Sequence, residues 1–182
     1  MALTLPDIEA LYVRHGHRMY SGEPVTQLEH ALQTALLAET EGADPGLVAA
    51  AFLHDLGHLL NDQGETPTAR GIDDVHQYFA LPFLRGLLGD DVLQPIKLHV
   101  DAKRYLCATR PGYRDALSAD SKRSLELQGG VFDEEECAAY EALPGAARAV
   151  RLRVWDDAAK IAGKRTPTLA QYTTIMQSLA RS

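Results

Sequence analysis

Apolar residues along the 182-residue chain recur at three- and four-residue intervals and show no sustained alternation, a pattern that predicts helices throughout and an all-α fold. Start and stop signals delimit them. Thr26 with Glu29 three residues later forms a capping box ahead of Leu28, Ala31, Leu32, Ala35, Leu36 and Leu37, a helix ending near Gly42. Asp44 followed by Pro45 pairs an N-cap with a first-turn proline and opens a helix through Val48, Phe52 and Leu53 to about Gly57. Asp73 is expected to cap the helix carrying His76, and Pro95 to sit inside the start of one running through His99 to about Cys107. Ser118 begins a helix stopped by Gly129 and Gly130, and Asp133 with Glu136 repeats the capping box before Pro144. A longer helix covers 145 to about 162 and ends at Gly163, after which Thr166 and Pro167 lead into a last one. Residues 61 to 72, rich in Asp, Gly, Thr and Pro, form the main irregular loop and a candidate rim or lid. Without repeats or low-complexity segments, residues 1–182 read as a single domain.

Composition narrows the function classes. The longest apolar run, Leu47 to Leu53, is far short of the ~18 residues that a membrane span requires. Pro6, Asp7 and Glu9 stand where a secretory signal would carry an apolar stretch, so the expected address is cytoplasmic. Eighteen Lys and Arg against 25 Asp and Glu give a net charge of −7, which argues against nucleic acid and anionic lipid as partners. Cys107 and Cys137, the only cysteines, have no neighbour at zinc-ligand spacing and read as small buried apolar residues. All seven histidines lie in the first 99 residues.

The segment Phe52-Leu53-His54-Asp55-Leu56-Gly57-His58 puts an imidazole beside a carboxylate at the end of an apolar helix. An ionised carboxylate buried there needs a cation or several donors, and a divalent metal compensates it most strongly. Further candidates are spaced along helical stretches: His30, His76, His99, and Asp156 or Asp157. His30 lies off the stripe of Leu28, Leu32, Ala35 and Leu36 and shares a side with Leu37, so its helix is apolar on two sides and a histidine there needs a partner. Four imidazoles and two carboxylates suit iron, manganese or zinc and exceed one tetrahedral site; two metals bridged by Asp55 would use all six. Arg153 precedes Asp156 by three residues and Asp157 by four, so spacing leaves the choice between them open.

The order His30, His54-Asp55, Asp156 resembles the metal motif of the HD-domain superfamily, best known for metal-dependent phosphohydrolases. More closely, Gln27-Leu28-Glu29-His30, Leu53 to His58, Lys97-Leu98-His99-Val100 into Lys103-Arg104-Tyr105-Leu106, Ser124-Leu125 to Gln128-Gly129-Gly130, and Arg153 to Lys160 are similar to the small HD-domain mixed-valent di-iron oxygenases that cleave 1-hydroxyphosphonates. The match runs from about Tyr20 to Lys160. The resemblance implies one HD-domain helical bundle with a buried di-metal site. His30, His54, Asp55 and Asp156 would hold one iron, and Asp55 would bridge to a second held by His76 and His99. It also selects Asp156 over Asp157.

Lys103, four residues after His99, extends from the same helix face and suits an anionic substrate. Ser121, Ser124 and Gln128 form a polar stripe that offers donors to phosphonate oxygens, and Arg153 adds a planar donor fork. The resemblance implies substrate binding by residues matching Lys103, Ser121, Gln128 and Arg153, with Ser124 where a hydroxyl residue also occurs. It makes Tyr20, in the turn Tyr20-Ser21-Gly22-Glu23-Pro24, a guard of an open iron position, with Glu23 offering charge to a substrate ammonium. His58, one helical turn after His54, would contact substrate or orient a ligand. His15 and His17 are expected at the surface, and Tyr78, Tyr105, Tyr113 and Trp155 in the core. The activity implied is an oxygenase using a Fe(II)/Fe(III) pair and O₂ to break the carbon–phosphorus bond of a small anionic or zwitterionic 1-hydroxyphosphonate such as 1-hydroxy-2-aminoethylphosphonate or its N-trimethyl form. It would release phosphate and glycine or glycine betaine. A phosphohydrolase acting on a small phosphate ester or nucleotide could use the same ligands, and a metal-stabilised binding module would bind metal without turnover.

Overall fold

The computed structural model describes residues 2–20, 22–61 and 67–181; within the expected loop and turn, residues 62–66 and Ser21 lie outside the described residues. Among the described residues every extended element is a helix, and the only bridge of β type joins Met19 to Thr26. Helix α1 (Leu5–His15) is opened by a Thr4–Asp7 capping box, and α2 (Gln27–Thr40) by the expected box of Thr26 and Glu29. Helix α3 (Pro45–Leu53) starts on Asp44, whose carboxylate accepts from the Leu47 N–H, and is buried on every side from Gly46 to Leu53. It crosses the middle of the main core, where Phe52 stacks on Tyr172 and tilts against Tyr12.

The structure corrects the expected course of this helix. Rather than continuing to Gly57, α3 stops at Leu53 and α4 (Leu56–Leu60) begins after a break at His54 and Asp55, where Asp55 takes φ −103 and ψ 12. The carbonyls released by the break are taken up: Phe52 O accepts from the Tyr12 phenol at 2.9 Å, and Ala51 O from the His54 ring at 2.9 Å. Gly57 allows the chain bearing His76 to approach. A Cβ at Gly57 would lie 2.2 Å from the His76 carbonyl oxygen.

The His76 helix is also shorter than expected. Helix α5 (His76–Phe79) is a single turn entered through Val75, and Asp73 accepts from the Val75 N–H at 3.2 Å instead of capping the helix itself. After α6 (Leu81–Leu84) comes the longest helix, α7 (Asp90–Thr109), which starts before Pro95 rather than around it. Pro95 has no N–H for the Asp91 carbonyl one turn back, and Arg148 donates to that carbonyl at 3.2 Å instead. Then follow α8 (Tyr113–Ala116), α9 (Ala119–Leu127) capped by Ser118, α10 (Glu134–Glu141) with the Asp133–Glu136 box, α11 (Ala146–Ala158) and α12 (Leu169–Leu179).

The apolar interior divides along α7. Its first half joins α1, α3, α11 and α12 in the main core around Phe52, Leu53, Trp155 and Met176. Its second half supports two smaller clusters, Leu98 and Ala102 with Tyr140 and Ala149, and Leu106 with Tyr113, Leu117 and Leu125. Tyr78 is exposed rather than in the core, and Cys107 and Cys137 are half-buried beside a surface groove rather than buried. His17 is exposed and His15 half-buried.

Gly57→Ala tests the close approach. The added methyl must push the His76 backbone away, at the overpacking cost of about 1–3 kcal/mol. A lowered thermal midpoint is expected together with weaker metal binding; an unchanged midpoint would show that the α4–α5 junction yields freely.

Candidate metal centre and anion cleft

Six buried side chains converge at the α3–α4 break. His30 comes from α2, His54 and Asp55 from the break itself, His76 from the start of α5, His99 from α7 and Asp156 from the end of α11. They form two trios, His30, His54 and Asp156, and Asp55, His76 and His99, each with ligand atoms within 4.8 Å of one another. Asp55 belongs to both by geometry. Its Oδ2 lies 3.5 Å from His30 Nε2 and 3.3 Å from His54 Nε2, while its Oδ1 lies 3.3 Å from His76 Nε2 and 3.6 Å from His99 Nε2. The neighbouring aspartates separate clearly: Asp156 Oδ1 stands 3.3 Å from His30 Nε2, whereas Asp157 turns to Arg153 and Tyr113.

The ring nitrogens reveal what the cluster requires. Nδ1–H of His30 donates to Ala159 O at 2.9 Å, that of His54 to Ala51 O, and that of His99 to Ile96 O at 2.7 Å. A carbonyl only accepts, so each of these Nδ1 atoms carries the hydrogen and each neutral ring presents a bare Nε2. Yet Nε2 of His30 and His54 lie 3.2 Å apart, and those of His76 and His99 3.1 Å apart. In the His30–His54 pair two lone pairs at that distance, facing a carboxylate, repel unless a positive charge sits among them. The Asp55 Oδ2 and Asp156 Oδ1 atoms are buried without a hydrogen-bond donor. Nitrogen and oxygen donors so arranged fit two divalent metal ions. In the metal-free chain a proton takes the place of the first: burial opposes charge on His54, but Asp55 and Asp156 outweigh it and raise the ring to about 10. On the other side burial holds His99 down to about 4.

A cavity of about 590 Å³, counted to its open mouth, adjoins both trios. Lys103, one turn beyond His99, reaches into it with only 2% of its surface exposed. Among the described residues its hydrogen-bond partner is the Ser124 hydroxyl at 2.6 Å, and no carboxylate pairs with it. Burial and the nearby Arg153 guanidinium push its ammonium down to about 7, against the pull of Asp156 and Asp157. Ser121, Ser124 and Gln128 line the same wall, and the buried Gln128 Oε1 has no partner among the described residues. That wall is the N-terminal face and C-cap of α9, fixed at its start by the Ser118 cap and joined to the opposite rim by a 2.5 Å hydrogen bond from Thr68 to Asp120.

Three expected positions have ties that the sequence does not reveal. Arg153 lines the cavity, but its Nη1 is held by Asp156 Oδ2 at 2.8 Å, its Nη2 by Asp157, and its Nε by Asp157 and Tyr113. Its donor fork is therefore shared among Asp156, Asp157 and Tyr113, with Nη1 alone orienting Asp156. Tyr20 lines the cavity and stacks on His30 with centroids 3.9 Å apart, and burial together with the nearby Asp156 and Asp55 carboxylates keeps its phenol protonated. Glu23 is not among the cavity's described lining residues; its carboxylate pairs with Lys160 at 3.2 Å, so a cationic substrate would have to compete with Lys160 for it. Asp74, which joins His58 to His76, goes unmarked in the sequence, where its neighbour Asp73 is the expected helix cap.

The chain should take up two equivalents of divalent metal, and His99→Ala should reduce this to one, as counted by elemental analysis after anaerobic loading. Since metal must displace the His54 proton below about pH 10, binding should strengthen as pH rises and release a proton, detectable by calorimetry in buffers of different ionisation heat. Unchanged stoichiometry in the variant would refute the second position.

Comparison with known proteins agrees with this geometry. The HD-domain family model matches residues 28–142. A hydroxymethylphosphonate dioxygenase of Gimesia maris is 44% identical over 165 residues, covering 90% of this chain and 82% of the relative. A glycine-betaine-forming [1-hydroxy-2-(trimethylamino)ethyl]phosphonate dioxygenase of Leisingera caerulea is 36% identical over 172 residues, 94% of this chain and 88% of the relative. An uncharacterized mimivirus protein, L432, is 35% identical over 91% of the chain and 77% of its own length. Matched by the family model across most of the ligand-bearing helices, and by phosphonate dioxygenases along nine-tenths of its length, the chain belongs to the HD-domain family.

Proposed function

We propose that this protein is a di-iron oxygenase that cleaves the carbon–phosphorus bond of a small 1-hydroxyphosphonate. The reaction balances without an external reductant: R–CH(OH)–PO₃H₂ and O₂ give R–COOH and H₃PO₄, the C–H and C–P bonds being broken as the carbon is oxidised and O₂ reduced. A mixed-valent Fe(II)/Fe(III) pair, held by His30, His54 and Asp156 on one side and His76 and His99 on the other with Asp55 between, would supply the activation of O₂.

The observation that carries the reading is the buried Lys103 ammonium, opening into the cavity that adjoins the paired histidines with a hydroxyl as its hydrogen-bond partner. A cation left in that state favours an anion within reach, and Ser121, Ser124 and Gln128 add neutral donors suited to phosphonate oxygens. Arg153 contributes charge to the same wall while keeping Asp156 oriented. His58 borders the cavity beside Asp55, and in this reading it would meet the substrate's reacting end. Tyr20 covers the first trio and would be displaced as substrate enters, with Glu23 and Lys160 behind it: the Lys160 ammonium stands 5.7 Å from the Tyr20 ring centroid.

Anaerobic loading with ferrous iron followed by limited O₂ should release phosphate from hydroxymethylphosphonate or 1-hydroxy-2-aminoethylphosphonate, mole for mole with O₂ consumed. Phosphate release from phosphate esters without O₂ uptake would overturn the proposal. Lys103→Ala should keep the fold, raise KM and lower kcat/KM by ~10- to 100-fold, the scale of one or two lost charge-assisted contacts. Because the Lys103 ammonium loses its proton as pH rises through about 7, the KM of the parent protein should climb over that range, and the variant should lose this component of the pH profile. Tyr20→Phe should load iron normally yet inactivate faster in air without substrate; equal lifetimes would remove Tyr20 from any guarding role.

A further inference from the structure

Three of the four convergent imidazoles donate Nδ1–H to backbone carbonyls, acceptors that cannot change protonation state. His76 is the exception. Its Nδ1 lies 2.9 Å from Asp74 Oδ1, while the other oxygen of that carboxylate, Oδ2, lies 2.6 Å from Nδ1 of His58. Asp74 is buried, and the two rings it joins are stacked with centroids 4.1 Å apart. We propose that Asp74 is a positioning residue that fixes the hydrogens of His76 and His58 together, on Nδ1 of both, and that the second metal position depends on it. This rests on the reading of Asp55, His76 and His99 as that position.

The backbone supports the assignment independently. Val75, between Asp74 and His76, has φ +46 and is the one non-glycine residue with positive φ among the described residues. A β-branched residue is costly in that region and persists where its surroundings dictate it. The turn lets the Asp74 carboxylate fold back over its own chain, where Oδ1 also receives the His76 N–H at 3.4 Å. With two accepting oxygens, Asp74 can take Nδ1–H from both rings at once. His76 then keeps a bare Nε2 toward Asp55 and His99, and His58 turns its Nε2 toward the cavity, 3.8 Å from Asp55 Oδ1. An asparagine of the same shape has one accepting oxygen and an NH₂ that only donates. One ring facing it must then accept at Nδ1 and carry its hydrogen on Nε2.

The test begins with the ¹⁵N-labelled, metal-free protein at mildly alkaline pH, where long-range proton–nitrogen correlations report which ring nitrogen is protonated. His76 and His58 should both carry hydrogen on Nδ1, and in Asp74→Asn one of them should shift it to Nε2. Titration with manganese(II), a redox-silent probe, should show the second equivalent weakened about 10- to 100-fold and the first unchanged, the range typical for loss of a partner to a ligating histidine. A bare Nδ1 on His76 in the parent protein overturns the proposal even if the variant fails to fold. Parent-like affinity for both equivalents in the variant overturns it as well. Expected tautomers in a parent protein that binds no second manganese would sink the metal reading and leave the tautomer assignment standing.

Discussion

A single buried carboxylate, Asp55, organises the structure: its two oxygens face opposite ways, each toward the Nε2 atoms of a different pair of histidines. A carboxylate so placed cannot be left without positive charge, and neither can the His30 and His54 lone pairs 3.2 Å apart. The break between α3 and α4 follows from this. Had the helix run on unbroken, Asp55 would have held a helical position on a cylinder buried all round by apolar contacts. Breaking it at His54 releases carbonyls, which Tyr12 and the His54 ring then satisfy. Gly57 allows the His76 chain to close from the other side.

The legible part of this design is the part that rests on local chemistry. The boxes at Thr26 and Asp133 and the caps at Asp44 and Ser118 are where the side chains require them, because each cap is a bond between residues three apart. The residues that converge at the centre were legible too, since an imidazole or carboxylate on an apolar helix has few other uses. What stayed hidden depended on partners distant in sequence. Asp73 draws attention as the expected cap, and only the fold brings His58 beside Asp74. Pro95 suggests a helix start until Arg148, 57 residues from Asp91, is seen to satisfy the carbonyl it frees. Glu23 looks free to meet an ammonium until Lys160 arrives from beyond α11. Cys107 and Cys137 fit a core by composition, but they lie at the margin of the smaller clusters where α7 and α10 meet solvent.

The four imidazoles are fixed in two different ways. His54 and His99 each bond the carbonyl three residues back, so their orientation is set by the helix that carries them. His30 and His76 depend on partners outside their own helices: the end of α11 for His30, and the Asp74 carboxylate for His76. Each pair thus joins a ring fixed by its own helix to one that must be brought in by tertiary structure. The first pair forms only when α11 docks on α2, and the second only when the chain through Val75 turns back on itself.

Charge links this centre to the cleft wall. Asp156 faces His30 through Oδ1 and Arg153 through Oδ2, and Arg153 continues to Asp157 and Tyr113, which packs with Leu117 and Leu125 beneath α9. Positive and negative groups alternate along this path, so each buried ion has an opposite beside it and the desolvation cost of burying them is shared. Lys103 stands apart from the path, buried close to Arg153 and, among the described residues, without a carboxylate of its own. Among the described residues, an arrangement that pairs the ions of this path and leaves this ammonium to a serine hydroxyl concentrates the demand for a counter-ion at one point. That point lines the cavity beside the paired histidines, so an anion that neutralised Lys103 would lie in the same cavity as the proposed metal positions.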